Sequence, residues 1–319
     1  MVAKVATRQA YGETLVELGR ANPDIVVIGG DLNKSTMTTL FAREFPDRFF
    51  DCGAAEQNMM GIASGLAASG KIPFASTFAV FGSGRPFDQI RISIAQARAN
   101  VKIVVTHAGI ITGPDGMSAH GIEDLALMCS LVGFTVVVPA DAEETAQAVR
   151  ALADMEGPCY LRLSRPATPL VCPEDYRFRI GQASVFRPGS DVAILATGIM
   201  VGMALEAAEA LAQESVDARV VNVSTLKPFD TETVVRCARE TGAVVTAEEH
   251  LRHGGLGSIV AETLGEHCPV PLSMVAIDDA YSPSGEADQL LKLRGLTPER
   301  IASAAKSVIQ RKSARNGNG

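Results

Sequence analysis

The chain has 319 residues, of which 47% are hydrophobic and 20% are charged, as is ordinary for a globular protein. At roughly 100–200 residues per domain, this length predicts two domains. The net charge of −7 argues against a nucleic-acid partner and against an anionic membrane surface, because both of these attract positively charged proteins.

The cysteines and the N-terminal residues indicate the cellular compartment. The six cysteines occur singly, without the close spacing of metal ligands, so we expect free thiols in a reducing compartment. The N-terminal residues lack the continuous apolar segment of a secretory signal, and no apolar run reaches the length of a membrane span. We therefore expect a cytoplasmic protein with no membrane partner.

The first half of the chain alternates short apolar runs with helical patterns. The predicted helices span residues 8–20, 55–69, 86–99, 122–131 and 141–154. The predicted strands span residues 24–28, 49–52, 72–76, 101–106, 134–138 and 159–163. Short buried strands that alternate with helices indicate a parallel sheet covered by helices on both faces.

Regular periodicity stops after residue 165. Prolines and scattered charges over residues 166–190 predict an interdomain linker that follows the surface. A second alternating series predicts strands at 191–196, 218–223, 243–248 and 272–277 and helices at 201–213, 230–240, 256–266 and 298–309. The predicted fold class is α/β with two consecutive doubly wound domains, residues 1–165 and 191–312, and a disordered tail at 313–319.

An acidic residue and two amides open one of the predicted helices. Glu56, Gln57 and Asn58 precede a series of small and apolar residues. A carboxylate at a helix N-terminus has an ordinary explanation, because it interacts favourably with the helix dipole and can accept bonds from free N–H groups. This explanation and a functional role for Glu56 both remain open at this point.

Two aromatic residues follow the predicted strand at 72–76. Phe78 and Phe81 are three positions apart, and Arg85 comes shortly after them. As core residues they need no functional explanation. As a pair of ring faces near a carboxylate, they can hold a flat heteroaromatic ligand.

A glycine-rich loop carries three further candidates. His107 ends the strand at 101–106, and Asp115 and His120 lie on the loop that follows. Open α/β sheets bind ligands in loops at the carboxyl edge of their strands. Two histidines and an aspartate can also bind a metal, but the tight spacing of metal sites is missing, so we predict no metal ligand in this chain.

Arg8, Ser35 and Arg165 form the most scattered group of candidates. An arginine side chain forms paired hydrogen bonds with a phosphate group, which makes an anionic ligand one explanation. A surface salt bridge is the commoner explanation for each arginine taken by itself.

Taken in order, these clusters resemble the C-terminal half of transketolase, in the form that is encoded as a separate subunit. The resemblance extends from about Arg8 to about Leu293. It rests on pieces that agree in order and spacing: ATRQAYGETL, GGDLNKS, CGAAEQNMMGIASGLA, FASTFAVF, THAGIITGPDGMSAHGIEDLALM, VVPADAEET, YLRLSR, STLKPFD and EEHLRHGGLGSIVAE. The whole series is specific, although no single piece is.

The resemblance implies a thiamine-diphosphate enzyme. Glu56 corresponds to the glutamate that bonds N1′ of the thiamine pyrimidine and so assists loss of the thiazolium C2 proton. Phe78 and Phe81 correspond to the aromatic wall beside the pyrimidine, with Phe81 as the stacking ring. Gln57 and Asp31 fall among the cofactor-binding positions, Asp31 as an acid that lines the substrate channel.

The same resemblance implies sugar-phosphate substrates. His107 and His120 correspond to catalytic groups that contact sugar hydroxyls and transfer protons. The substrate-binding positions are Arg8, Ser35, His107, Asp115 and Arg165. The expected reaction moves a two-carbon ketol unit from a ketose phosphate to an aldose phosphate, as in pentose-phosphate metabolism.

The sequence departs from the family pattern in two places. The loop reads GPDG where the family usually has GEDG, so Pro114 replaces a glutamate, and one extra residue precedes His120. Substrate preference can therefore differ from that of the pentose-phosphate enzyme.

The family's diphosphate and metal motif, GDG followed by two asparagines, does not occur in the sequence. We therefore expect an N-terminal-section subunit to bind the diphosphate and Mg²⁺ in an α2β2 assembly.

Several alternatives remain. The β subunit of a 2-oxo acid dehydrogenase shares the two-domain plan but not the AEQNM string, the paired phenylalanines or the two arginines. A fragment of a deoxyxylulose-phosphate synthase-like enzyme is a further alternative, and so is a transketolase for a branched or sulfonated sugar phosphate. The retention of Glu56 argues against a fourth alternative, a non-catalytic subunit descended from the enzyme. The resemblance gives the second domain a structural role, and no catalytic role is assigned to His250 or His253.

Overall fold

The apolar runs of the sequence become the strands of two mainly parallel sheets. The structure, a computed structural model, describes residues 3–316. The strands are β1 Lys4–Ala6, β2 Ile25–Gly29, β3 Phe49–Asp51, β4 Ile72–Phe78, β5 Lys102–Thr106, β6 Thr135–Val137, β7 Cys159–Arg162, β8 Ala167–Pro169, β9 Ser184–Arg187, β10 Val192–Ala196, β11 Ala218–Asn222, β12 Thr225–Lys227, β13 Val244–Leu251 and β14 Leu272–Ile277.

Helices cover the faces of these sheets. The α-helices are α1 Thr7–Ala21, α2 Thr39–Glu44, α3 Glu56–Ala68, α4 Ala79–Ser83, α5 Phe87–Gln89, α6 Asp124–Ser130, α7 Ala142–Asp154, α8 Met200–Gln213, α9 Thr231–Thr241, α10 Leu256–His267, α11 Ala287–Leu293 and α12 Pro298–Asn316. A π-helix at Ile90–Gln96 continues α5, and 3₁₀ turns occupy Pro46–Arg48 and Ile110–Asp115. No helix within residues 3–316 is long and apolar enough to cross a membrane.

The first sheet has seven strands in the order β12-β6-β7-β5-β4-β2-β3. Its strands are parallel except β12, which comes from the second half of the chain and pairs antiparallel with β6. Strands β2 and β5 are buried along their whole length, as expected for strands covered on both faces. The carboxyl ends of β2, β4, β5 and β7 therefore meet at one edge of the sheet.

The second sheet has five strands in the order β14-β13-β10-β11-β9. Only β9 is antiparallel within it. One hydrophobic cluster joins the two halves of the chain, because it contains Val136 and Val138 of the first half together with Leu195 and Leu256 of the second. The α/β fold class with two successive layered units, predicted from the sequence, is confirmed.

The structure differs from the sequence-based expectation in the predicted linker and tail. Within residues 166–190, β8 pairs with β1 and β9 pairs with β11, so regular structure occurs where periodicity was absent. Residues 313–316 belong to the tail that was predicted to be disordered, whereas α12 continues to Asn316 in the structure. Residues 317–319 lie outside the described part of the chain.

Candidate active site at the carboxyl edge of the first sheet

The sequence-predicted residues follow the strands that end at this edge. Asp31 comes after β2, Phe78 ends β4, His107 comes after β5 and Arg165 comes after β7. Asp31 and His107 have positive φ angles of 71° and 57°, a left-handed conformation that is unusual for residues other than glycine. Such backbone strain costs about 1–3 kcal/mol and persists where the surrounding fold imposes it, often at functional sites.

Glu56 is the first residue of α3, and its carboxylate is buried. Its side-chain partner is Arg85, whose Nη1 donates to Oε1 over 3.0 Å. The carboxylate is only 5% exposed, whereas the Arg85 side chain is 53% exposed. This buried carboxylate thus depends on a partner that reaches it from the solvent side, and a ligand that can hydrogen-bond the carboxyl group can take the place of that partner.

The aromatic wall lies directly beside this ion pair. The Phe78 and Phe81 rings are 5.9 Å apart between centroids and are inclined by only 11°. The Arg85 guanidinium carbon lies 4.1 Å from the centre of the Phe81 ring. A flat, nitrogen-rich group therefore already stacks on Phe81 while donating to Glu56. An aminopyrimidine can stack on the same ring and hydrogen-bond Glu56 through a ring nitrogen, with the proton supplied by the carboxyl group, so this arrangement fits the pyrimidine of thiamine.

The two other predicted cofactor-binding residues make no hydrogen bond to the Glu56 carboxylate or to the Arg85 guanidinium within the described residues. Gln57 is exposed, and its Nε2 donates to the backbone oxygen of Arg85 over 3.3 Å. Asp31 is also exposed, and its N–H donates to Oδ1 of Asp51 over 3.1 Å. Asp31 thus lies with Asp51, at the ends of the neighbouring strands β2 and β3.

His107 connects the aromatic wall to the basic residues. Its ring stacks on Phe78 with centroids 3.7 Å apart, and its Nδ1 is hydrogen-bonded to the Thr106 hydroxyl over 2.8 Å. Burial, followed by the charges of Arg8 and Arg165, lowers the pKa of His107 to about 3. The imidazole is therefore neutral near pH 7 and can donate or accept a hydrogen bond without carrying charge.

The predicted phosphate-binding residues come together. Arg8 donates from Nε to the backbone oxygen of Arg165 over 3.0 Å and from Nη1 to the backbone oxygen of Ser35 over 2.8 Å. Burial and the neighbouring Arg165 charge lower the pKa of Arg8. Arg165 donates to the backbone oxygen of Thr112 over 2.6 Å and lies 3.4 Å from Asp115. Within the described residues Arg165 has one carboxylate partner, Asp115, and Arg8 bonds only to backbone oxygens, so these two neighbouring guanidinium groups favour an anionic ligand.

His120 is buried on the loop that carries Asp115. Its Nε2 donates to the backbone oxygen of Gly113 over 3.2 Å, and its Nδ1 has no hydrogen-bond partner among residues 3–316. Burial lowers the pKa of His120, although Gly113 and Asp115 oppose this effect. The side chain is thus neutral near pH 7, bonded to its own loop and left with one free acceptor. The backbone turns tightly on both sides of Pro114 and Asp115. Gly113 and Gly116 permit these turns because both have positive φ angles.

Sequence reasoning overlooked a buried charged network beneath this loop. Arg162 forms an ion pair with Asp124 over 2.8 Å and donates to the backbone oxygen of Glu249 over 3.0 Å. The Glu249 side chain accepts from the N–H of Ile111 over 2.8 Å, and burial raises the pKa of Glu249 to about 7. The EEHLRHGGLG motif shows two adjacent glutamates in the sequence, but it does not show which distant residues they contact.

Comparison with known proteins identifies the family. Residues 3–171 match the family model of the transketolase pyrimidine-binding domain, and residues 181–301 match that of the transketolase C-terminal domain. The chain belongs to the transketolase family. Within the described residues, no three His, Cys, Asp or Glu side chains cluster as metal ligands would.

Relatives of similar length are subunits of split transketolases. The chain is 44% identical to the 6-deoxy-6-sulfo-D-fructose transketolase subunit of a Clostridium species, over 97% of this chain and 96% of the relative. It is 37% identical to one subunit of the apulose-4-phosphate transketolase of Phocaeicola vulgatus, over 96% of this chain and 98% of the relative. These relatives confirm the predicted family and the predicted class of enzyme, a transketolase-type transferase subunit.

A solved structure agrees along nearly the whole chain. A split-gene transketolase described as an inactive β4 tetramer superposes with a TM-score of 0.90 at 51% identity, over 97% of this chain and 99% of that one. The transketolase of Leishmania mexicana superposes with a TM-score of 0.82 at 25% identity, and the match covers 98% of this chain and 46% of that longer one.

Proposed function

We propose that this chain is the pyrimidine-binding subunit of a split, thiamine-diphosphate-dependent transketolase. In this role it transfers a two-carbon ketol unit from a ketose phosphate to an aldose phosphate. The observation that carries the proposal is the contact of Arg85 with both Glu56 and Phe81, because it marks a buried carboxylate and a ring face that one flat ligand can engage together.

The cofactor would enter where the Arg85 guanidinium lies. Glu56 would bind N1′ of the pyrimidine, Phe81 would stack on its face, and Phe78 would support Phe81 from behind. Gln57 would line the opening, and Asp31 would line the substrate channel. When bound, thiamine diphosphate supplies a nucleophilic carbon that carries the two-carbon unit between sugars. The chain's own task is to orient the ring, exclude water and hold a proton at the Glu56 carboxyl group.

The substrate phosphate would bind to Arg8, Ser35 and Arg165. Both arginine side chains carry N–H groups beyond those used in backbone hydrogen bonds, and phosphate oxygens accept such donors readily. His107, as a neutral imidazole between the aromatic wall and the arginines, would hydrogen-bond a sugar hydroxyl. Asp115 and His120 would contact the sugar from the glycine-rich loop.

A partner subunit would complete the site. The chain's sequence offers no diphosphate and Mg²⁺ motif, so an N-terminal-section subunit would hold these groups, and an α2β2 assembly in the cytoplasm is the arrangement we propose. Helix α3 leaves room for another chain, because Gly61 and Gly65 face open space and a β carbon added at either position would have no neighbour within 4 Å. The similar structure named an inactive β4 tetramer fits a chain that requires a partner.

An unusual sugar phosphate is the second candidate substrate class. Pro114 and the buried position of His120 change the loop that would contact the sugar, and two relatives are named for a sulfonated fructose and for apulose 4-phosphate. The arginine pair suits an anionic group at the far end of such a sugar. A simple 2-oxo acid carries its carboxylate next to the reacting carbonyl and has no second anionic group at the far end, so the arrangement of Arg8 and Arg165 favours a sugar phosphate over the dehydrogenase alternative.

The test is reconstitution with a subunit that carries the GDG…NN motif. The chain, the partner, thiamine diphosphate and Mg²⁺ are combined, and ketol transfer is assayed with pentose, branched and sulfonated sugar phosphates as donors. We expect activity in the mixture and none in either subunit alone. Full activity of this chain by itself would refute the need for a partner. Decarboxylation of 2-oxo acids without ketol transfer would favour the dehydrogenase alternative.

A further inference from the structure

Two adjacent buried glutamates of the second half have different partners. Glu248 and Glu249 follow each other on β13, where the pairing of this strand with β14 is irregular, and their side chains reach different partners. Glu248 accepts from the N–H groups of Leu256 and Gly257 over 2.7 and 2.8 Å, at the start of α10 in its own half of the chain. Glu249 instead accepts from the N–H of Ile111, which lies 138 positions earlier in the chain.

The acceptor of this long-range bond is enclosed by the glycine-rich loop. Gly109 has a φ angle of 72°, and a β carbon at this position would lie 2.0 Å from Oε1 of Glu249. Glycine is therefore required on two grounds, the left-handed backbone and the space that the carboxylate occupies. Burial without a hydrogen-bond partner would be costly for this carboxylate, so the loop and Glu249 stabilise each other.

The second half of the chain also encloses the far end of the same loop. A β carbon at Gly113 would lie 3.2 Å from the backbone oxygen of Gly285, and one at Gly116 would lie 2.6 Å from the Ser284 hydroxyl. The segment 109–116, which we call the substrate loop, is thus fixed at its start by Glu249 and confined at its end by residues 284–287.

The substrate loop is bonded directly to predicted site residues. The Thr112 hydroxyl donates to the backbone oxygen of His107 over 2.6 Å, and the Thr112 backbone oxygen accepts from Arg165 over 2.6 Å. Asp115, on the same loop, faces Arg165 over 3.4 Å. A shift of the loop therefore moves the acceptors that orient Arg165 and the backbone that holds His107.

We propose that Glu249 is a positioning residue that sets the substrate loop, so that the second half of the chain adjusts sugar-phosphate binding without touching the substrate. The anchoring of the loop is a property of this chain alone. Its effect on sugar binding rests on the proposed function. Glu248 is the matched control, because it is equally buried, lies at the next position and bonds within its own half.

The first experiment measures amide hydrogen exchange in the full chain without a partner. In Glu249→Ala, exchange at Ile111 and at the adjacent Ile110 should accelerate roughly tenfold or more, because the Ile111 N–H loses its carboxyl acceptor and the start of the loop loses its anchor. In Glu249→Gln, the amide oxygen still accepts, and exchange should stay within about threefold of the wild type. In Glu248→Ala, exchange should accelerate at Leu256 and Gly257 and stay unchanged at Ile110 and Ile111.

The second experiment measures steady-state kinetics in the reconstituted complex. Glu249→Ala should raise KM for the phosphorylated donor about tenfold, by misplacing Arg165, with a smaller change in kcat. Glu249→Gln should restore KM. Glu248→Ala should leave KM within about twofold, because loss of stability alone reduces the amount of active enzyme and not its affinity for the substrate.

The outcomes separate the two proposals. Equal acceleration at Ile110 and Ile111 in the Glu248 and Glu249 variants, or no acceleration in Glu249→Ala, overturns the anchoring. If Glu249→Ala does not fold, fast exchange of Ile110 and Ile111 in the wild type, or a large acceleration in Glu249→Gln, overturns it. A wild-type complex without ketol transfer refutes the proposed function, while the exchange data still decide the anchoring. An unchanged KM in Glu249→Ala with accelerated exchange refutes the effect on substrate binding.

Discussion

Each half of the chain has a buried glutamate near the carboxyl edge of a parallel sheet, but the partners of these glutamates differ. In the first half, Glu56 pairs with the exposed side chain of Arg85. In the second half, Glu248 is satisfied by two backbone N–H groups, and burial raises its pKa to about 7. A carboxylate bonded to the backbone is fixed in a structural role. One bonded to a long, solvent-exposed side chain remains available for a ligand.

Replacement of these glutamates gives the strongest test of that difference. Glu56→Gln should reduce kcat of the reconstituted complex about 10²–10⁴-fold, because the amide cannot exchange a proton with the cofactor ring. Glu248→Gln should leave kcat nearly unchanged and affect thermal stability instead. Steady-state assays at saturating thiamine diphosphate make the measurement. Activity retained in Glu56→Gln would remove Glu56 from the mechanism.

The second-largest expected effect is a loss of substrate affinity when an arginine at the carboxyl edge of the first sheet is replaced. Arg8→Ala should raise KM for a phosphorylated donor about ten- to hundredfold, since each charged hydrogen bond contributes about 1.5–3 kcal/mol. The KM for an unphosphorylated ketose should stay the same. Arg20→Ala, which removes only an exposed pair with Glu44, is the control variant. Equal effects on both donors would mean that Arg8 does not bind the phosphate.

The pH dependence of stability tests the burial of His107. Its pKa in the folded chain is about 3, below the ordinary value of 6.5, so the folded state takes up a proton later than the unfolded state as the pH falls. Relative to His107→Gln, the wild type should lose up to about 1.4 kcal/mol of stability per pH unit below 6.5, and nothing above it. Urea unfolding of both proteins from pH 7.5 to 5 measures the difference. Parallel curves would show that the imidazole is not held neutral.

The smallest expected effect concerns Arg85 itself. Arg85→Gln should tighten thiamine-diphosphate binding to the complex about two- to fivefold, because a partly exposed ion pair no longer has to be broken first. Calorimetric titration measures the affinity. Arg150→Ala, which removes an exposed pair with Glu17, should leave it unchanged. Weaker binding in Arg85→Gln would show that this arginine assists the cofactor and does not compete with it.

The sequence contained most of the first sheet's edge. Apolar runs located its buried strands, and the residues after those strands, such as His107 and Arg165, are the ones that the structure places together. Periodicity did not reveal β8 and β9, because these strands are short and pair with remote segments. The Glu249 contact was also hidden, since a hydrogen bond between positions 138 apart leaves no local pattern. Arg85 was visible in the sequence, but its stacking on Phe81 was not.

The antiparallel pairing of β12 with β6 lets the second half of the chain complete one edge of the first sheet. A fragment that ends near residue 180 would contain six of the first sheet's seven strands but not β12. Its β6 strand would then present unpaired backbone groups along an open sheet edge, a known template for aggregation. Expression of the isolated pyrimidine-binding half should therefore yield insoluble protein, whereas the intact chain carries its own edge protection.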